Sequence, residues 1–250
     1  MLPDPLILAV GIPAILFAGI SKGGFGSGAS FAAAPILTLV MDPRLALGVL
    51  LPLLMLIDVV TLKSFWKGWH TPSVKMLSLG AVPGVLLGVW LYQIANADAF
   101  RLLIGAISLL FVMYQLSRSM GILRIPTLPF NPVFGLITGM VGGFTSFVSH
   151  AGGPPVAVFL LSQSMTKTTY QATTVLVFWV INILKFVPYG IIGVFTAESM
   201  LIGAWLAPMA VIGAYIGIWA HKIVPERIFF GITYVLLVTT GSKLIWDALT

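Results

Sequence analysis

Apolar residues run along this chain in long blocks, interrupted only where a charge, a proline or a glycine cluster intervenes. Reading between the interruptions gives ten apolar segments, at residues 5–20, 28–41, 44–66, 74–95, 99–117, 131–147, 154–164, 169–192, 199–219 and 227–247. Runs such as Val49 to Val60 show no alternation of apolar and polar positions. That excludes the strands of a membrane β-barrel and predicts helices that are apolar all round. A helix needs about 20 residues to cross a hydrocarbon core of about 30 Å, so the first, second, sixth and seventh runs are short for a span. These four form two pairs, each joined by a Gly-rich polar stretch: Ser21-Lys22-Gly23-Gly24-Phe25-Gly26-Ser27-Gly28, and Thr145-Ser146-Phe147-Val148-Ser149-His150-Ala151-Gly152-Gly153. The pattern predicts two broken or re-entrant helical hairpins, each followed by three full-length helices.

The two halves repeat. Gly23-Gly24-Phe25 precedes Pro35 by the same interval that separates Gly142-Gly143-Phe144 from Pro154; Pro83 and Gly88 match Pro208 and Gly213, and Arg101 with Gly105 matches Arg227 with Gly231. The offset drifts only from 119 to 126. Such constancy predicts a duplicated unit, residues 1–125 and 126–250, forming one membrane domain.

Lysine and arginine orient the repeats. With five crossings per half, one face receives Lys22, Lys63, Lys67, Lys75, Arg118, Arg124, Lys167, Lys222 and Arg227, and the other only Arg44, Arg101 and Lys243. If each short pair were one broken span, the loop charges, with Lys22 and the terminal Lys243 left out, would divide five against five. The positive-inside rule favours the first arrangement: inverted halves, both termini outside, and the loop from Lys63 to Lys75 in the cytoplasm.

Composition agrees with this reading and narrows the chemistry. The chain is 59% hydrophobic and 8% charged over 250 residues, with a mean hydropathy of +1.08. Soluble enzymes and nucleic-acid binders use about a quarter of their residues as charges, so the expected class is an all-α, polytopic integral membrane protein with the lipid bilayer and no nucleic acid as partner. There is no cysteine and there are only three histidines, so no metal site or cofactor is expected. The first apolar stretch lacks a basic residue before it and is expected to be retained.

The polar residues left inside the membrane are the candidates for function. A helix that starts at a break presents unpaired N–H groups and a positive dipole end, which attract anions. Lys22, Gly23, Gly24, Gly26 and Ser27 lie in the first break, and Ser149, His150, Gly152 and Gly153 in the second. Lys185 lies within a span; it could snorkel to the interface, pair with Asp58, or contact an anion. Asp58 and Asn182 occupy comparable places in the third and eighth segments. Asp58 could carry protons or hold a helix contact, and His150 titrates near neutrality and could couple proton to anion movement. Glycines at four-residue spacing (Gly80, Gly84, Gly88; Gly135, Gly139, Gly143) predict close helix packing.

The duplicated motifs, Gly23-Gly24-Phe25-Gly26 to Pro35 and Gly142-Gly143-Phe144 to Gly153-Pro154-Pro155, resemble those of the TauE/SafE family of sulfite exporters, also called four-transmembrane-unit sulfite exporter permeases. The resemblance extends over nearly the whole chain, including its basic first loop. It implies export of small sulfur-containing oxyanions, such as sulfite, sulfoacetate and other organosulfonates, across the bacterial inner membrane. The family is described with eight spans, whereas the charge distribution favours five crossings per half. No nucleotide-binding motif is present. The expected function is therefore secondary transport by alternating access at a midplane anion site between the broken hairpins; an anion channel using the same hairpins as a filter is the alternative, and an enzyme is not expected. The cargo, coupling ion and oligomeric state are not legible.

Overall fold

The computed structural model describes residues 3–25, 30–123, 126–221 and 226–250, with the backbone alone at 226–230. The described residues form helices α1 (Pro5–Gly24), α2 (Ala33–Thr38), α3 (Pro43–Ser64), α4 (Thr71–Ile94), α5 (Ala97–Ser119), α6 (Pro132–Ser149), α7 (Gly153–Ser162), α8 (Lys167–Ile191), α9 (Ala197–Ala220) and α10 (Glu226–Leu249), with one 3₁₀ turn at Ser30–Ala32 ahead of α2. The starts are written in the sequence. The side chains of Asp4, Asp42, Asn96, Asn131, Thr166 and Thr196 accept from first-turn amides of α1, α3, α5, α6, α8 and α9, and so satisfy donors that lipid could not.

The ten apolar runs thus correspond to the ten helices, with one correction. The first and sixth runs are not short: α1 has 20 residues and α6 has 18, and both are long and apolar enough to cross a membrane, as are α3, α4, α5, α8 and α9. The helices continue through Ser21–Gly24 and Thr145–Ser149, with Gly23 and Gly24 in the first stretch and Gly143 just ahead of the second covered by neighbouring helices. Only α2, with six residues, and α7, with ten, are short.

Two close crossings hold the bundle. A Cβ at Gly23 would stand 2.5 Å from the Ala214 carbonyl oxygen, one at Gly24 would stand 2.3 Å from that of Gly217, and one at Gly213 would stand 2.5 Å from that of Leu16. α1 and α9 therefore lie backbone to backbone, and they run in the same direction. In the same way Gly80, Gly84, Gly139 and Gly143 bring α4 and α6 together, with Gly84 facing the Met140 carbonyl and Gly143 that of Ala81. This pair is also parallel. By contrast α3 and α8 are antiparallel: Asp58 meets Asn182, while Leu47 and Lys185 both meet His150. α5 and α10 are antiparallel as well, since Gly105 faces Gly241 and Ile245, and Gly241 faces Ser108.

α2 and α7 fold back along their partners. Leu37 of α2 reaches Gly11 near the start of α1, and Phe159 of α7 reaches Gly135 and Phe134 near the start of α6. Each is the returning arm of a hairpin.

These directions collect charge at the two ends of the bundle. The ends of α3, α5 and α9 meet the starts of α4 and α8 at an end that carries Lys63, Lys67, Lys75, Arg118 and Lys167; the Phe65 and His221 rings touch there, and Lys167 donates to the His221 carbonyl. At the opposite end stand Asp4, Asp42, Asp98, Glu198 and Asp247, five of the seven acidic residues, with Arg44, Arg101 and Lys243. There Arg44 donates to the Ala95 carbonyl, joining α3 to the end of α4.

Candidate functional site: a buried polar chain through the bundle

The interior carries a string of polar side chains where α3 crosses α8. Lys22, in the last turn of α1, places Nζ 2.7 Å from Oδ1 of Asp58 and 3.3 Å from the Leu54 carbonyl, with the Phe178 ring 6.0 Å away. Asn182 of α8 donates to the other carboxylate oxygen of Asp58 at 2.7 Å. All three residues are buried. A charge in this setting persists only when paired and hydrogen-bonded, and removing one partner of such a pair costs about 3–5 kcal/mol. Asp58 meets both conditions.

One turn further along α8 stands Lys185, which has no measurable exposure. Its Nζ lies 3.1 Å from the Ser146 carbonyl and 2.9 Å from Nδ1 of His150. The second ring nitrogen, Nε2, lies 3.3 Å from the Leu47 carbonyl. An ammonium at Lys185 donates to Nδ1, which makes Nε2 the protonated nitrogen that donates to Leu47; the histidine is then neutral. His150 holds this place because it ends α6 in the left-handed region, with φ 54°. Tyr189, one turn beyond Lys185, donates to the Phe147 carbonyl at 2.7 Å. The cluster thus contains two buried lysines and one buried carboxylate.

The predicted residues fall into three groups. Lys22, Asp58 and Asn182 come together, as do Lys185 and His150. Lys185 neither snorkels nor pairs with Asp58: it is fully enclosed, and Lys22 takes the carboxylate. The glycines form the second group. Gly23 and Gly24 lie within α1 and are covered by α9, and Gly152 packs against the Gly142 carbonyl and the Phe178 ring. Gly153 is the buried first residue of α7, where Pro154 and Pro155 lack N–H groups, so this helix start offers fewer donors than its position implies. Ser149 returns its hydroxyl to the Thr145 carbonyl at 3.0 Å. Gly26 and Ser27, the third group, lie outside the described residues.

Among the described residues the two breaks touch α3 at different levels. Lys22 contacts α3 at Leu54 and Asp58, and His150 contacts it at Leu47, seven residues or about 10 Å of helix rise apart. The polar chain along α8 spans the interval.

Gln171 is the functional candidate that sequence reading passed over. It is buried, and its Nε2 donates to the Lys22 carbonyl at 2.9 Å and reaches that of Gly23 at 3.5 Å. A signal was present: Gln171, Asn182, Lys185 and Tyr189 all fall on one stripe of α8. Gln171 also lines a cavity of about 370 Å³ that opens at the basic end beside Gly24, Arg118, Lys167 and His221.

A bundle of apolar helices long enough to span a bilayer, enclosing a polar chain at its centre, defines a polytopic membrane protein. The family model for the sulfite exporter TauE/SafE matches residues 11–244. The chain belongs to that family, whose members are membrane exporters of sulfite and related sulfur anions. No curated protein and no solved structure matches it.

Proposed function

We propose that this protein is a secondary transporter that exports small sulfur-containing oxyanions, sulfite or an organosulfonate, across the cell's inner membrane without catalysing a reaction. The observation that carries this reading is the charge of the buried chain. Lys22 has a carboxylate partner, whereas among the described residues Lys185 has only neutral ones. A second ammonium in a hydrocarbon setting calls for a counter-charge. A travelling oxyanion supplies it by accepting from the Lys185 ammonium. Protonation of Asp58 or His150 then provides a route for proton coupling.

The helix directions support inverted repeats, residues 1–125 and 126–250. α1 pairs with α9 as α6 pairs with α4, both parallel, while the equivalent pairs α3/α8 and α5/α10 are antiparallel. Asp58 and Asn182, at equivalent places, meet across the α3/α8 crossing. Five crossings per half produce this pattern; a single broken span in place of each hairpin would make α3 and α8 parallel. Alternating access then amounts to the halves exchanging conformations about the α3/α8 crossing. The basic end faces the cytoplasm, and both termini face outward.

The test is flux from liposomes loaded with sulfite or sulfoacetate. Saturation, counterflow and a response to a pH gradient are expected, with flux lost in Lys185→Met protein that still elutes as a folded species. Ohmic single-channel currents, or undiminished flux in Lys185→Met, would overturn the carrier reading.

A further inference from the structure

The cavity of about 370 Å³ at the basic end lies among the end of α1, the last turns of α5, α7 and the start of α8. Its size is in the range of small-molecule sites, about 300–1,000 Å³. Its wall holds Arg118, Lys167 and His221 with the hydroxyl of Tyr114 and the amides of Gln115 and Gln171, and among the described residues it holds no carboxylate. The opposite end of the bundle, by contrast, gathers most of the acidic residues. Clefts lined by one sign of charge between low-dielectric walls concentrate the opposite ion.

Two features make this more than a basic surface. The carbonyl end of α1 projects into the cavity at Gly24 and would repel an anion. It is instead capped: His221 Nδ1 lies 2.5 Å from the Gly24 oxygen, and Gln171 donates to the Lys22 oxygen. The floor is also thin. Gln171 faces the cavity and at the same time holds the backbone of Lys22, whose ammonium is buried against Asp58. Gln171 thus links the cavity wall to the backbone of the residue that carries the buried ammonium. Ser21, beside Lys22, is fully buried with a hydroxyl that has no partner.

Resting on the transporter reading above, we propose that this cavity is the loading site for the oxyanion on the basic face, and that Gln171 is the gate between it and Lys22. Arg118 and Lys167 gather the anion. Release of the Lys22 carbonyl by Gln171 frees the last turn of α1 and opens the way to the Lys22–Asp58 pair.

The chain has no cysteine, so single cysteines report access directly in the full-length protein. The probes are two methanethiosulfonate reagents, one carrying a sulfonatoethyl group and one a trimethylammonioethyl group. At Gln115→Cys, inside the cavity, the ratio of anionic to cationic reaction rates is expected to exceed that at exposed Ile122→Cys by about tenfold. Arg118→Gln with Lys167→Gln is expected to bring the ratio down to that of Ile122→Cys. Equal ratios at the two sites, or a ratio unmoved by removing both cations, would overturn the loading site. For the gate, Ser21→Cys is expected to be inert alone and to react in Gln171→Ala, and also in Gln171→Asn, whose shorter amide keeps the polarity. Inertness in both backgrounds, with Gln115→Cys still labelled as a sign of folding, would overturn the gate. Labelling requires no transport, so absent sulfite flux with this reactivity pattern intact rejects the cargo and leaves the cavity standing; normal flux with a flat ratio rejects the cavity alone.

Discussion

At the scale of single residues, the decisive feature is that the charges of the interior are not interchangeable. Lys22→Ala strips Asp58 of its cation and leaves a carboxylate bonded only to Asn182. The expected cost is about 3–5 kcal/mol of stability, read as a lower thermal midpoint in detergent. Asp58→Asn combined with Lys22→Gln removes both charges and should restore most of that stability, because a neutral hydrogen-bonded pair needs no compensation. Transport should stay lost in the double variant, and recovery of flux would show the pair to be structural only. His150 offers a second test at this scale. The Lys185 ammonium donates to its Nδ1, so acidification, which places a proton on that nitrogen, breaks the contact and sets two cations side by side. Transport should therefore fall once the pH is low enough to protonate this ring. His150→Asn keeps an acceptor and tolerates the left-handed backbone at this position; flux in that variant should persist and lose the acid limb. An unchanged pH profile would remove His150 from the coupling. The candidates themselves were legible, because an ionisable residue stands out in an apolar run; their partners were not. Nothing local to Asp58 distinguishes a lysine 36 positions before it from one 127 positions after it. Only the packing of α1 against α3 decides.

At the scale of elements, the apolar runs mark the helices well, because caps and prolines end a helix for reasons contained within a few residues. The glycines misled for the opposite reason. A Gly-rich stretch reads as a break when its neighbours are unknown, yet Gly23, Gly24, Gly142 and Gly143 are helical, and three of them touch the backbone of a helix more than 60 positions away. Whether a glycine ends a helix or lets another approach is a property of the pair, so a single strand of sequence does not record it. The consequence is testable at Gly84. A Cβ there would stand 2.0 Å from the Met140 carbonyl oxygen, so Gly84→Ala must push α4 and α6 apart and should abolish the folded, monodisperse species in size-exclusion chromatography. Gly231→Ala, in α10 with no atom within 4 Å of the added carbon, should instead be neutral or gain up to about 1 kcal/mol from helix propensity. Equal behaviour of the two variants would mean that close approach is not what holds these helices.

At the scale of the whole molecule, the few charges and the helix directions point to one topology by independent routes. Sidedness of lysine and arginine favours five crossings per half. The antiparallel contact of α3 with α8 fits an odd number of crossings per half, because equivalent helices of two halves oppose each other only then. An eight-span arrangement makes a distinct prediction. It places the segment between α5 and α6 on the same side as the end of α10, whereas ten crossings place them on opposite sides. Ile122 is exposed in that segment and Thr250 follows α10. In intact cells a membrane-impermeant thiol reagent should label Thr250→Cys and leave Ile122→Cys untouched until the membrane is opened. Labelling of both from outside would restore the eight-span topology. Labelling of Ile122→Cys alone would keep ten crossings but turn the molecule over, and the cationic end would then face away from the cytoplasm. In that orientation the charge asymmetry would favour capture of an anion from outside, and the direction of transport would have to be read as uptake.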